Sequence, residues 1–520
     1  MSGATGRTTR STKTRRIGRN PLSIADILAL ARGERAPLLD PDPSYRARLR
    51  ASRERLEKAV AAGTPVYGVT TGVGASVGNR IPAEDRDEMP RNLFRFHGCG
   101  TGRILGEDEA AAVVAVRLVT LARGHSGVRE VVLERLCDLL GNRLLPRIPE
   151  EGSVGASGDL TPLSYLAAAL AGEREVTLGG RVLPAAEALA EIGLAPLTLE
   201  IKESLSLMNG TSGMTGLAAL AFDRASRLAR LAAAVTAAHV EVTHGNPKHF
   251  DARLFELKPH PGQVAAARWI REALGHDAAG PTPARLQDRY SIRCAPHVIG
   301  VLVDALRQAE AILEIEINGV DDNPILDDES DEIFHGGHFY GGHVCFAMDG
   351  VKNAVANVAD LLDRQLVLLC SPEQSDGLPA DLVAPAPNGP ALTHHGFKAM
   401  QITASALTAE ALKLAIPASL FSRSTESHNQ DKVSMGMIAS RDCLRILELS
   451  ETVAVIGLLA VCQAIDLRGG ELRSPRARAL HAAVRTTVPM LDGDRRQDLD
   501  IASLLDSYRS GALPVDEPDA

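Results

Sequence analysis

Aromatic residues are scarce. Phe, Trp and Tyr make up 3% of 520 residues, with a single Trp. A core for so long a chain must therefore be aliphatic, built from Ala, Leu, Val and Ile within a 45% hydrophobic content. Cysteine is also sparse: seven residues, an odd number, with no Cys-x-x-Cys pair. That argues against a zinc ribbon and points to a reducing, cytoplasmic setting with buried thiols. There is no positive excess either; the net charge of -9 disfavours a general nucleic-acid binder. No apolar run of membrane-spanning length occurs and no apolar signal core opens the chain, so neither a membrane anchor nor secretion is expected. The glycine-punctuated stretch Tyr67-Gly68-Val69-Thr70-Thr71-Gly72-Val73-Gly74 lacks a Gly-Lys-Ser/Thr ending and a strand–turn–helix setting. It is not a phosphate or dinucleotide loop, and no nucleotide and no metal are expected.

What the chain has is helical periodicity. Long Ala-, Leu-, Arg- and Glu-rich stretches favour helix over strand. Residues 1–20 carry six basic residues among Ser, Thr and Gly and read as a disordered basic tail. Order starts at Pro21, with Ser23 as a helix N-cap. Helices are expected over Pro43 to Ala62, over 106–124 and 127–143 as a hairpin broken at Gly124, and over Met214 to Val242. Residues 173–200 are mixed, with a hairpin turn at Gly179-Gly180. Residues 245–290 read as a polar excursion. Long apolar helices follow at about 295–317, 345–370, 396–416 and 436–466. The fold class is mainly α, a long-helix bundle extended by oligomerisation. The expected divisions are an N-terminal region at 21–205, a central bundle at 206–480, and a helical end with an acidic tail at 481–520.

One loop carries unusual chemistry. Gly152-Ser153-Val154-Gly155-Ala156-Ser157-Gly158-Asp159-Leu160 is small, glycine-dense and uncharged until Asp159. An unhindered Gly158 nitrogen can attack the Ala156 carbonyl, and loss of two waters turns Ser157 into an exocyclic methylene. The product is a methylidene-imidazolone, an electrophile made from the chain. Such small tripeptides are common in loops, so this one needs company. Polar clusters at helix edges supply it: Asn209-Gly210-Thr211, Gln287-Asp288-Arg289-Tyr290-Ser291-Ile292-Arg293, Asp321-Asp322-Asn323, the loop Phe334 to Phe339, Gly396-Phe397-Lys398, and Ser424 to Asp431. Each alone reads as a cap or a turn.

Together the sequence resembles the aromatic amino acid ammonia-lyase and aminomutase family. The matching motifs are Tyr67-Gly68-Val69-Thr70-Thr71-Gly72, Gly155-Ala156-Ser157-Gly158-Asp159-Leu160, Asn209-Gly210-Thr211, Tyr290-Ser291-Ile292-Arg293, Asp322-Asn323-Pro324 and Asn429-Gln430-Asp431, in the family order. The resemblance implies an ammonia-lyase-type helical homotetramer with active sites shared between subunits. It also implies a methylidene-imidazolone (MIO) formed from Ala156, Ser157 and Gly158, which makes the amino group a better leaving group. Tyr67 is then the base for the β-proton. A phenol ordinarily titrates at about 10, so this role calls for a lowered pKa. Tyr290 joins the catalytic set. Asn209 and Gln430 surround the prosthetic group, Arg293 pairs with the substrate carboxylate with help from Asn323, Phe339 contacts the ring, and Gln287 lies on the substrate. Helix N-termini aimed at the site would add positive potential. The Ala-Ser-Gly loop is expected to be rigid and the Tyr67 loop mobile.

Substrate choice falls on Phe96 and His97, a Phe-His hybrid of the family's ring-selectivity pairs. Phe96 would pack on the ring and His97 would bond a phenolic hydroxyl. Lys398 and Glu426 match plant-type phenylalanine lyases, and Gln430-Asp431-Lys432 departs from the histidine-lyase pattern. The expected reaction is L-tyrosine to p-coumarate, with L-phenylalanine to cinnamate next. The alternatives are a tyrosine or phenylalanine 2,3-aminomutase, a histidine ammonia-lyase, and a catalytically silent helical scaffold.

Overall fold

Helix dominates the chain, as its aliphatic periodicity requires. A computed structural model describes residues 13–275, 283, 285–330, 332–385 and 392–515. Four helices are long: Ser212–Val242, Ala295–Asn318, Gly342–Leu369 and Gly436–Leu467, with 31, 24, 28 and 32 residues. The chain forms two compact units. The first comprises Met1–Leu220, Glu310–Met348 and Pro417–Arg441, and the second Ala221–Ala309, Asp349–Ile416 and Asp442–Ala520.

In the first unit, helix Glu107–Leu121 is buried on every side from Ala110 to Leu121. Small residues make this possible. A Cβ added at Gly216 would lie 2.7 Å from the Val113 backbone nitrogen, so helix Ser212–Val242 begins backbone-to-backbone against helix Glu107–Leu121. Strands among the described residues all lie in this unit and are short. Lys13–Ile17 pairs in parallel with Arg35–Leu39. Leu144–Pro146, Glu175–Leu178 and Arg181–Pro184 form an antiparallel sheet whose turn is Gly179-Gly180, both at positive φ. Ser23 caps helix Ile24–Ala31 reciprocally with Asp26. A small apolar cluster of Leu56, Val66, Val69 and Leu326 anchors the root of the Tyr67 loop.

In the second unit, buried Glu451 accepts from Arg224 Nε and Nη2 at 2.8 and 2.9 Å and from Arg509 Nε at 2.9 Å. The one Trp, Trp269, lies under the Arg230 guanidinium, 3.8 Å from the ring centroid.

Several expectations are corrected. The disordered tail cannot extend to residue 20, because Lys13–Ile17 is a paired strand; residues 1–12 lie outside the described residues, as does the acidic end at 516–520. The 245–290 excursion contains helix Pro261–Leu274, whose apolar face buries Ala266, Ala267 and Ile270. The consecutive division at 206 and 480 is replaced by an interleaved one, because segments 310–348 and 417–441 pack with the N-terminal region. Ser424 to Asp431 does not open a helix: Thr425 and Gln430 form an isolated bridge, and helix Gly436–Leu467 starts later.

Replacing Gly216 with Ala forces a methyl group against backbone atoms that cannot rotate away. The expected cost is roughly 1–3 kcal/mol, read as a lowered urea midpoint; an unchanged midpoint would contradict the close helix approach.

Candidate active site

Ser157 sits where three helix N-termini meet. Helix Leu160–Leu170 begins just after it. The start of helix Ser212–Val242 is joined through a bridge between Gly158 and Gly210: Gly210 N–H donates to Ser157 O at 3.1 Å and Asp159 N–H to Gly210 O at 2.8 Å. The start of helix Gly436–Leu467 is joined where Met435 N–H donates to Val154 O at 3.0 Å. Helix N-termini carry partial positive charge, so the loop lies in a field that favours developing negative charge.

The loop has no room to spare. A Cβ at Gly158 would lie 2.0 Å from the Gly210 carbonyl oxygen, and one at Gly155 would lie 2.1 Å from Ser434 Oγ. Ser157 and Gly158 both have positive φ, 49° and 76°. Side-chain-bearing residues adopt such angles only when their surroundings impose them. Asp159 is fully buried and fixes the loop from behind. Its carboxylate accepts from Ser153 Oγ at 2.8 Å and from Met214 N–H at 2.7 Å, the latter in the first turn of helix Ser212–Val242. Burial pushes its pKa up to about 7, against the lowering effect of these donors.

Asn209 is held by a buried ionic network. Lys202 Nζ lies 2.6 Å from Asp322 Oδ2 and 2.8 Å from Ser206 Oγ, and both charged side chains are excluded from solvent. Burial works to raise the Asp322 carboxyl, but Lys202 and Arg117 overcome this and hold it below its usual range. Asp322 Oδ1 accepts from Asn209 Nδ2 at 3.2 Å, and Asn323 O accepts from the same nitrogen at 3.0 Å. Asn209 Oδ1 is then buried with no hydrogen-bond partner. Next to it, buried Arg117 pairs with Asp321 at 3.0 Å and donates to Asn209 O at 2.9 Å, while Asp321 accepts from Thr211 N–H at 2.7 Å.

Tyr67 lies in the same unit. Its hydroxyl accepts from Gly74 N–H at 2.7 Å, and its own N–H donates to His335 Nε2 at 3.3 Å. Burial raises the phenol, the Gly74 N–H lowers it, and the Glu426 carboxylate raises it again, with a net upward shift. The lowered pKa expected from the sequence is therefore not present in the single chain. Gln430 Nε2 reaches Ser157 Oγ at 3.4 Å. Phe96 and His97 end helix Met89–His97, which packs against helices Leu160–Leu170 and Glu203–Met208. Their ring centroids are 4.2 Å apart. Burial holds His97 at about 4, so its imidazole is neutral at pH 7.

The first unit thus contains Tyr67, Phe96, His97, Ala156, Ser157, Gly158, Asn209, Asn323, Phe339, Glu426 and Gln430. Hydrogen bonds join Ser157 to Gln430 and Asn209 to Asn323. The Asn323 side chain accepts from Gly336 N–H at 2.9 Å, and the Glu426 carboxylate accepts from Ala75 N–H, so both are engaged with backbone. Gln287, Tyr290, Arg293 and Lys398 belong to the second unit. Of these, Gln287, Tyr290 and Lys398 are exposed. Arg293 stacks on Tyr290 and donates to Asp288 O. The sequence reading missed Lys202, which stands just before helix Glu203–Met208 between Glu200 and Glu203, where nearby carboxylates mask its distant partner. It also left Asp159, Asp321 and Asp322 without roles, although all three stand inside quoted motifs.

The residues fit an Ala-Ser-Gly-derived prosthetic group. The loop is compressed with glycine where a side chain is excluded, and an unpartnered buried oxygen of Asn209 stands on the strand-like segment bridged to it.

A family model described as aromatic amino acid lyase matches residues 22–486. The histidine ammonia-lyase of Sorangium cellulosum is 41% identical, covering 96% of this chain and 97% of its own. The MIO-dependent tyrosine 2,3-aminomutase of Streptomyces globisporus is 40% identical, covering 92% of each chain. A crystal structure of the tyrosine aminomutase from that organism matches with a TM-score of 0.89 at 37% identity, over 96% of this chain and 97% of the other. The tyrosine ammonia-lyase of Cupriavidus metallidurans is 38% identical, covering 94% of each.

Two outcomes are expected from the buried charges. Lys202→Met strands the Asp322 carboxylate and should cost roughly 3–5 kcal/mol in chemical denaturation. A Lys202→Met/Asp322→Leu double variant should recover much of that, and a merely additive double would count against the pairing. For Asp159 the folded pKa lies above the unfolded one. Its contribution to stability is complete below the ordinary carboxyl range and is lost as pH rises through about 7. Asp159→Asn should therefore gain on the parent protein in urea midpoint between pH 4 and 7; parallel curves would contradict the upward shift.

Proposed function

Because the chain belongs to the aromatic amino acid ammonia-lyase and aminomutase family, we propose that it eliminates ammonia from an aromatic L-amino acid, L-tyrosine to p-coumarate first and L-phenylalanine to cinnamate next. The family makes it a carbon–nitrogen lyase acting on a small amino acid. The substrate is our reading, and the Phe96–His97 pair carries it. A neutral imidazole beside a phenyl ring can bond a phenolic hydroxyl while the ring packs on its neighbour.

The MIO formed from Ala156, Ser157 and Gly158 would supply an electrophile that makes the substrate's amino group a better leaving group. The chain's own residues supply the rest. Gln430 and Asn209 hold the Ser157 loop's polar surroundings. Tyr67 takes the β-proton on its hydroxyl oxygen. Its phenol is pushed up in the single chain, so ionisation needs added positive charge, and the ammonium of an incoming substrate brings it. Tyr290 and Arg293 complete the site from another copy, with Arg293 on the substrate carboxylate; Gln287 and Lys398 flank it. The reading includes a cytoplasmic homotetramer. Large apolar side chains exposed on the long helices support burial between copies, among them Ile315 at 73% and Phe346 at 73%.

The likeness to the Streptomyces globisporus aminomutase supports a second reading, a 2,3-aminomutase that returns ammonia to the β-carbon. The likeness to histidine ammonia-lyases supports a third, histidine as substrate. The test is absorbance of the unsaturated acid on addition of Tyr, Phe or His, with chromatography for β-amino acids. Coumarate formation supports the first reading. β-Tyrosine moves the assignment to aminomutase, urocanate moves it to histidine, and no product from any of the three overturns the family activity here. Ser157→Ala should lower kcat by more than about 1000-fold; full activity would remove the prosthetic group from the scheme.

A further inference from the structure

We infer that Glu426 is a positioning residue that latches the Tyr67 loop onto the turn that touches Ser157. The inference rests on the reading of Tyr67 as the base. Both Glu426 carboxylate oxygens accept from Ala75 N–H, at 3.0 and 2.9 Å. The neighbouring Gly74 N–H donates to the Tyr67 hydroxyl at 2.7 Å. The carboxylate fills the space a side chain at Gly74 would take: a Cβ there would lie 2.4 Å from Oε2. Glu426 thus grips the peptide unit that follows the one holding the Tyr67 hydroxyl.

The turn bearing Glu426 is built to hold a fixed shape. Glu426, Ser427 and His428 all have positive φ, at 52°, 53° and 64°. Three successive side-chain-bearing residues in the left-handed region persist only where their surroundings over-determine them. Here Thr425 and Gln430 close the turn with paired backbone bonds at 3.0 and 3.3 Å, and Ser424 Oγ meets His428 Nδ1 at 2.8 Å. Gln430 then reaches Ser157 Oγ. One short turn therefore holds the base loop through Glu426 and the Ala-Ser-Gly loop through Gln430. The family resemblance assigns Glu426 to substrate. The geometry assigns it first to the Tyr67 loop, where an arriving ammonium would have to compete with Ala75 N–H for the same carboxylate.

Hydrogen exchange of the full-length protein tests this. Glu426→Ala removes a charged acceptor and should raise amide exchange across residues 67–78 by at least ~10-fold, with the Gly152–Asp159 loop unchanged. Glu426→Gln keeps an oxygen for Ala75 and should stay within about threefold of the parent. Glu426→Asp, which shortens the side chain by one methylene and withdraws the carboxylate from Ala75 N–H, should match Glu426→Ala and serves if that variant does not fold. A smaller rise in both disruptive variants, or an equal rise in Glu426→Gln, overturns the latch. Exchange is read without turnover, so an inactive protein with a latched loop sinks only the proposed activity. An active protein whose loop is indifferent to Glu426 sinks only the latch.

Discussion

Two adjacent carboxylates, Asp321 and Asp322, are each buried and each paired with a buried cation, Arg117 and Lys202. The rest of the site depends on this arrangement. Neither charge pair is cheap to bury, and such pairs are better explained by what they orient than by stability. Asp322 fixes the Asn209 amide, Asp321 fixes the Thr211 N–H, and Arg117 fixes the Asn209 carbonyl. Asn209 to Thr211 becomes a rigid edge, and the Ser157 loop is bridged to that edge at Gly158 and Gly210.

Against that edge the loop is tightly confined. Glycine at 155 and 158 admits the Ser434 side chain and the Gly210 backbone into space that a methyl would occupy. Compression, not mobility, is what these glycines provide. The small-residue economy of the whole chain serves the same end, because helices without large side chains can bring their N-termini to one place. Met214 shows how closely they gather. Cβ atoms at Gly341 and Gly436 would each lie within 2.3 Å of its sulfur.

Charge is arranged with opposite effects at Ser157 and at Tyr67. Helix N-termini give the Ser157 loop a positive surrounding. The Tyr67 phenol has burial and the Glu426 carboxylate working to keep it protonated, with only the Gly74 N–H opposing them. In the proposed scheme the resting chain therefore favours the electrophile at Ser157 while Tyr67, the proposed base, is held protonated. In that scheme a substrate that brings its own positive charge lowers the Tyr67 phenol.

The amino-acid sequence by itself determined the helical class, the long helices to within a few residues, the Ser23 cap and the Gly179-Gly180 turn. These follow from local periodicity, capping and turn chemistry, which act over a few residues. It also carried the family resemblance, because Tyr67, Ser157, Asn209 and Gln430 stand in recognisable local patterns. Only the tertiary structure decided how the segments group into units, since burial of residues 310–348 and 417–441 against the N-terminal region depends on contacts hundreds of positions apart. Only it paired Lys202 with Asp322 across 120 positions and Glu426 with Ala75 across 351. A charge carries no mark of its partner in the sequence. Desolvation and the direction of every pKa shift exist only once the chain has closed around the group.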